Sequence, residues 1–386
     1  MKPSPYRVDV PEPVLTDLKE RLARTRWPDE IPGGEWDFGT DLTYLRELAD
    51  YWQKGYDWRR HEALLNGFEQ FTVPISGIPL HFIHQRGVGP NPRPLLLSHG
   101  WPGSIWEFYK LIPLLTDPGR FGGDPADAFT VVAPSLPGYT FSFQPNQPRL
   151  GIAEMADTFA ELMSEVLEYP RFVAAGGDWG ASITTRLAYA HPNLLSGIHL
   201  TMLTVRPTGP APADTTDEER QYLAAQNEFQ RDGIGYQWIQ GTRPQTLAYA
   251  LTDSPVGLAG WIVEKFREWS DCHGQVESRF TKDELLTNVM LYWVTGCIGA
   301  SFWPYYTRRH GEWSPGELIG SGRRIDVPTA HALFPREITR SPKSMAERVY
   351  NIVRWTPMPA GGHFAALEEP EALAGDLREF ARQLRP

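Results

Sequence analysis

A chain of 386 residues, 41% hydrophobic and 22% charged, has the make-up of an ordinary globular protein, large enough for one α/β domain with additions or for two domains. Its net charge of −10 and its scattered basic residues argue against nucleic acid or an anionic membrane as partner. No run of eighteen apolar residues is present to span a bilayer. Cys272 and Cys297 form neither a disulfide framework nor a zinc-ligand spacing. With no secretory signal visible at Met1–Pro5, they fit a reducing cytosol, and a cytoplasmic protein is expected. The 14 Trp, 15 Tyr and 18 Phe exceed what a plain surface needs and suit a deep apolar pocket.

Residues 1–67 read as a prelude of three amphipathic helices, at Pro13–Arg24, Asp41–Trp52 and Trp58–Asn66, whose expected role is packing. Phe71–Ile75 and Leu80–Gln85 read as strands around a Ser76-Gly77 turn. Leu95–Leu97 is all apolar, as expected of a strand buried on both faces. It leads into His99-Gly100-Trp101-Pro102-Gly103-Ser104, where Ser104 is suited to cap a helix over Ile105–Leu115. A strand at Phe129–Ala133, a helix at Gly151–Tyr169, a strand at Phe172–Ala175 and a strand at Ser196–Thr201 follow. This alternation predicts a doubly wound, mostly parallel sheet with right-handed crossovers, its first part spanning 68–204. The rhythm stops over 205–315, which is aromatic and helical, and an insertion there is expected to cap the carboxyl ends of the strands. It resumes over 316–386 with strands at Val327–Phe334 and Asn351–Trp355 and a last helix from about Pro370 to Leu384.

The chemistry is concentrated at Gly176-Gly177-Asp178-Trp179-Gly180, a small-X-acid-X-small pattern between a strand and a helix. That is the spacing of a nucleophile elbow with Asp in the nucleophile position. Glu337 and His363 follow in the order nucleophile, acid, histidine, each just past a predicted strand end, which is the order of an α/β-hydrolase triad. Asp326 is the competing acid, but it precedes its strand and should lie at the wrong end of the sheet. A carboxylate attacking carbon gives an alkyl ester, which His363, held by Glu337, would hydrolyse. The oxyanion needs backbone donors, assigned to Trp179 and Trp101, while His99 reads as a hydrogen-bonder within its turn. Because a carboxylate is a feeble nucleophile, the electrophile must be strained or carry a good leaving group, and epoxides and alkyl halides qualify. An epoxide leaves as a strong base and needs a proton donor, for which the cap offers Tyr236, Tyr249, Tyr292, Tyr305 and Tyr306. His81 and His84, three apart on a strand, point to opposite faces and make no metal site.

HGWPGS at 99–104, GGDWGAS at 176–182, FPREI at 334–338 and GGHFAALEEP at 361–370, with the Leu22–Pro28 stretch, resemble the epoxide hydrolases of the microsomal and juvenile-hormone type. The resemblance implies an α/β-hydrolase fold with an N-terminal wrapping segment, an acid at Glu337 and no cofactor or metal. It also implies two epoxide-polarising tyrosines, matched to Tyr236 and Tyr306, with Tyr305 as rival in the doublet. Tyr305, Trp238, Phe302 and Trp303 are assigned to the substrate pocket. The implied substrate is a small hydrophobic epoxide, opened to a vicinal diol in detoxification or in secondary metabolism such as enediyne biosynthesis. A soluble form is expected because the anchor of membrane-bound members is not seen, and a homodimer is left open. Two rival readings remain: a dehalogenase with the same Asp nucleophile, marked by halide-gripping N–H donors in the cap, and a non-catalytic binding module.

Overall fold

The computed structural model describes residues 2–207, 214–319 and 321–384. The prelude holds β1 (Ser4–Tyr6), α1 (Glu12–Ala23), α2 (Leu42–Lys54) and α3 (Trp58–Leu65). The three helices fall where the apolar spacing puts them, and Asp41 starts α2 by accepting the Tyr44 N–H at 2.6 Å. The strand β1 was not expected. It adds an antiparallel edge to the sheet, with the Tyr6 ring packed against His81 at 4.9 Å and Phe141 at 5.4 Å.

The sheet continues with β2 (Gln70–Ile75), β3 (Ile78–Gln85) and β4 (Arg93–Ser98). Ser76 and Gly77 both take positive φ, 50° and 75°, the conformation that lets a two-residue hairpin follow the strand twist. After β4 the expected single helix is broken into a 3-10 turn at Ile105–Phe108 and α4 (Leu111–Thr116). Pro113 explains the break: it has no N–H to donate, so it is accommodated in the first turn of a new helix rather than inside a continuous one. Next come β5 (Phe129–Pro134), α5 (Ile152–Glu161, continuing as a π turn to Val166), β6 (Phe172–Gly176), α6 (Asp178–Ala190) and β7 (Leu195–Leu200).

The insertion is helical throughout its described elements: α7 (Asp217–Asp232), α8 (Gly235–Thr242), α9 (Pro244–Asp253), α10 (Pro255–Trp269), α11 (Lys282–Thr295), α12 (Ile298–Ser301) and α13 (Trp303–Arg309). The core then closes with β8 (Ile325–Leu333), α14 (Lys343–Glu347), β9 (Tyr350–Pro357), α15 (Ala365–Glu368) and α16 (Pro370–Gln383).

The sheet order is β1-β2-β3-β5-β4-β6-β7-β8-β9, antiparallel up to β5 and parallel from there. α5 and α6 pack together over β6, while α4 and α16 pair across the other layer. Strand order reverses at β4, whose neighbours are β5 and β6, so the crevice of the sheet opens at the carboxyl ends of β4 and β6. Trp101 and Asp178 stand just past those two ends.

Candidate active site

Asp178 begins α6 with φ of +46°, a left-handed conformation rare outside glycine. Its neighbours must be small to allow it. A Cβ on Gly176 would stand 2.4 Å from the backbone carbon of Gly180, and one on Gly180 would stand 1.9 Å from the Ser98 carbonyl oxygen. A Cβ on Gly100 would stand 2.3 Å from Cβ of Asp178 itself. Glycines of both motifs thus press the turn after β4 against the elbow, and the Trp101 N–H donates to Asp178 Oδ1 at 2.8 Å. Trp179, the second residue of α6, has an N–H that no helical carbonyl can accept.

Asp178 Oδ2 lies 3.5 Å from His363 Nε2, and His363 Nδ1 lies 2.7 Å from Glu337 Oε1. Glu337 follows β8 and His363 follows β9, so adjacent parallel strands deliver both. A bridge between Arg336 and Gly362 ties the two loops together. The imidazole is also fixed from the cap: its backbone N–H donates to the Trp269 carbonyl at 2.9 Å. A Cβ on Gly362 would come within 2.6 Å of that carbonyl oxygen. Burial alone would lower the affinity of His363 for a proton. The charges of Glu337 and Asp178 outweigh it and hold the imidazole well above its ordinary value. Asp326 lies exposed near the start of β8, at the opposite end from the site.

The cap lowers two phenols onto this edge. Tyr236 of α8 stacks on Trp101 at 5.3 Å, and Tyr305 of α13 meets Trp101 edge-on at 5.7 Å and Trp179 at 4.8 Å. The two phenol rings are 5.7 Å apart. Burial pushes both hydroxyls up, and the charge of Asp178 adds to the effect on each. The Tyr305 hydroxyl is buried with no hydrogen-bond partner, whereas the Tyr236 hydroxyl accepts from Gln237 Nε2 at 2.8 Å.

Tyr306 is corrected by this arrangement. Its ring stacks on His310 at 4.0 Å and on Trp303 at 4.9 Å, on another face of α13, so the inward member of the doublet is Tyr305. Trp303 belongs to that same outer stack and not to the pocket. Trp238 is also corrected: it is 48% exposed and lies under the Arg309 guanidinium at 3.8 Å. Phe302 is buried and edge-on to Trp101 at 6.3 Å, behind the ring of the residue whose backbone N–H holds Asp178.

His99 is the turn-holder expected of it, with Nε2 accepting the Leu136 N–H at 3.1 Å and burial lowering its pKa to about 4. His81 and His84 are likewise spent separately, on Ser135 and Gln70 and on Tyr169. Sequence reasoning missed Glu107. It lines a cavity of about 40 Å³ together with Gly100, Trp101, Asp178 and His363, enough for one water. Burial pushes its carboxyl up to about 8, against the pull of His363 and with the charge of Asp178 adding, which favours its protonated form. Gly103 leaves room for it, since a Cβ there would sit 1.5 Å from Glu107 Oε1. Among the described residues no group of three or more His, Cys, Asp and Glu side chains is arranged to hold a metal ion.

A strained carboxylate elbow, with an acid and an imidazole delivered by the next parallel strands and a helical insertion overhead, is the frame of an α/β-hydrolase. Residues 93–250 match the family model described as alpha/beta hydrolase fold, and residues 3–108 match the one described as epoxide hydrolase N terminus. A Stigmatella aurantiaca protein assigned by name to the epoxide hydrolases is 46% identical, over 99% of this chain and 85% of its own length. Rabbit (Oryctolagus cuniculus) epoxide hydrolase 1 is 36% identical over 97% of this chain and 88% of its own. The crystal structure of juvenile hormone epoxide hydrolase from the silkworm Bombyx mori superposes with a TM-score of 0.88 at 31% identity, covering 99% of this chain and 95% of that one. The chain belongs to the epoxide hydrolase family.

Proposed function

We propose that this protein hydrolyses an epoxide to a vicinal diol through a covalent ester on Asp178. The observation that carries the reading is the division of labour between the two carboxylate oxygens. Oδ1 is held by the Trp101 N–H, and Oδ2 faces the imidazole. In the first step Oδ2 attacks an epoxide carbon. The carbon–oxygen bond breaks, and the departing oxygen takes a proton from Tyr236 or Tyr305. Two phenols converge on that oxygen because an alkoxide is too basic to leave unaided.

In the second step His363 Nε2 removes a proton from water, and the hydroxide adds to Cγ of Asp178. Glu107, on the same cavity, holds that water against the imidazole. The oxyanion forms on Oδ1, already facing its backbone donor, with the Trp179 N–H as the second. Collapse expels the diol oxygen, which takes the proton held by His363. The acid left on Asp178 then ionises, returning the proton that the phenol gave up.

The dehalogenase reading has less support. The cap brings two phenols against the Trp101 and Trp179 rings that flank Asp178, which an epoxide oxygen needs and a halide does not. A single turnover in heavy-oxygen water, followed by mass analysis of the peptide bearing Asp178, tests the proposal. One heavy oxygen in that peptide is expected. Label found only in the diol would mean that water attacked the epoxide directly and would overturn it.

A further inference from the structure

Lys265 of α10 is charged yet nearly sealed in the wall between cap and site, its side chain only 7% exposed. Lysine is almost never buried to that degree without partners. It has two, Glu264 Oε1 at 2.9 Å and Glu268 Oε2 at 3.1 Å. Its ammonium stands 4.9 Å from the centre of the Tyr236 ring and 5.6 Å from that of Trp269. We propose that Lys265 is a positioning residue for Tyr236: its ammonium, held over the phenol ring, screens the carboxylates of Glu264 and Glu268 and keeps the phenol able to give up its proton. The inference rests on the reading of Tyr236 as a proton donor and adds how that donor is kept competent.

The argument follows the charge on the ring. As the phenol donates, negative charge spreads over its π-system, and a cation facing that ring gains attraction as the charge grows. The interaction is therefore stronger in the transition state than before it, which is the condition for catalysis. Burial and the other charges around Tyr236 act in the opposite sense. Burial resists the phenolate, Asp178 across the chamber repels it, and Glu268 adds to both. Gln237, from the same helix, donates to the phenol oxygen at 2.8 Å, and it and the Tyr305 hydroxyl favour the phenolate as neutral groups, while Trp101 offers a neutral ring. Of these neighbours Lys265 alone brings positive charge. Removing it would take away the one favourable charge and uncover two unfavourable ones. α10 thus serves both half-reactions: Lys265 faces the phenol, and one turn later the Trp269 carbonyl holds the backbone of His363 at 2.9 Å.

The two steps separate in stopped-flow tryptophan fluorescence with styrene oxide as probe, since Trp101 and Trp179 flank Asp178. In Lys265→Met, ester formation is expected to slow about tenfold, a part of the roughly 10²–10⁴ that a positioned proton donor supplies. Hydrolysis of the ester should keep the wild-type rate. Lys265→Arg, which keeps the charge, should stay close to wild type. Adding Glu268→Gln to Lys265→Met should restore most of the loss, because it removes an anion that the lysine had screened. The inference is overturned if Lys265→Met forms ester at the wild-type rate, if both steps slow together, or if the loss survives Glu268→Gln. Should Lys265→Met fail to fold, Lys265→Gln, which keeps a donor between the carboxylates without the charge, takes its place under the same criteria. Tyr236→Phe separates the two claims. Normal ester formation there takes down the donor assignment and the inference with it, whereas a slow Tyr236→Phe beside a normal Lys265→Met takes down only the inference.

Discussion

Asp178 is held in a left-handed backbone conformation by residues that leave it no alternative, and this lifts its carboxylate into an aromatic chamber. Replacing it by Ala should abolish turnover while leaving thermal unfolding near wild type, because the cost of the turn lies in the backbone. His363→Gln should form the ester and fail to hydrolyse it, so the intact protein gains the mass of the epoxide. Tyr305→Phe should slow ester formation by about 10²–10⁴, and Tyr306→Phe should not, since that ring stacks on His310 at 4.0 Å instead. Titration of His363 carries its own sign. Two carboxylates raise its proton affinity, and in the proposed mechanism ester formation neutralises one of them, which lowers that affinity when a base is needed. Glu337→Gln removes the other, so the acid limb of ester hydrolysis should move to lower pH as the rate falls; a limb moving upward would contradict the assignment. At this scale the triad was legible because chain order and small neighbours are linear features of a sequence. The phenols were only half legible. Adjacent residues on a helix point about 100° apart, and only the packing of α13 decides which of Tyr305 and Tyr306 turns inward. Glu107 was illegible because a glutamate at a helix start reads as surface charge until the glycine beneath it is known to be filled.

Between residues and molecule stand the elements that aim them, and their boundaries follow from local chemistry. Thr281 and Glu284 box the start of α11, and Thr216 and Glu219 that of α7, by reciprocal hydrogen bonds that a sequence displays openly. The three-residue strand β1 displays nothing. Ser4-Pro5-Tyr6 has no alternation, and it is a strand because an edge of β2 lies open beside it. The same contrast governs the glycines. Gly180 must let the elbow approach β4, and a methyl there would meet the Ser98 carbonyl oxygen at 1.9 Å. Backbone on both sides cannot yield as a side chain can. Gly180→Ala is therefore expected to cost about 1–3 kcal/mol, read as a lower urea midpoint, and to shift the elbow enough to cut ester formation. Gly375→Ala in α16, where a Cβ meets no atom within 4 Å, is the control and should hold or gain stability.

For the molecule as a whole, the prelude reaches further than packing on the core. Arg21 pairs with Asp253 at 2.8 Å, the Thr40 hydroxyl donates to the Gly260 carbonyl at 2.7 Å, and the Tyr51 hydroxyl donates to Asp283 at 2.7 Å. It is thus bonded to α9, α10 and α11 of the cap as well as to β2, and composition alone could not say which surface it would choose. Between prelude and cap lies a cleft of about 1310 Å³, walled by Trp27, Phe38, Ile239 and Trp261, with Tyr236 and Lys265 at its floor. Tyr236 also stacks on Trp101, whose N–H holds Asp178, so one phenol stands between the cleft and that carboxylate. If substrates enter by this cleft, its width sets their size. Ile239 is 42% exposed on the cleft wall of α8, away from every triad contact. Ile239→Trp should lower kcat/KM for a bulky epoxide such as trans-stilbene oxide by at least about tenfold, equivalent to about 1.4 kcal/mol. It should leave propylene oxide almost unchanged, because a wider indole obstructs only what nearly fills the passage. Equal losses for both epoxides, or no loss for either, would mean that the cleft wall plays no part in selecting the substrate.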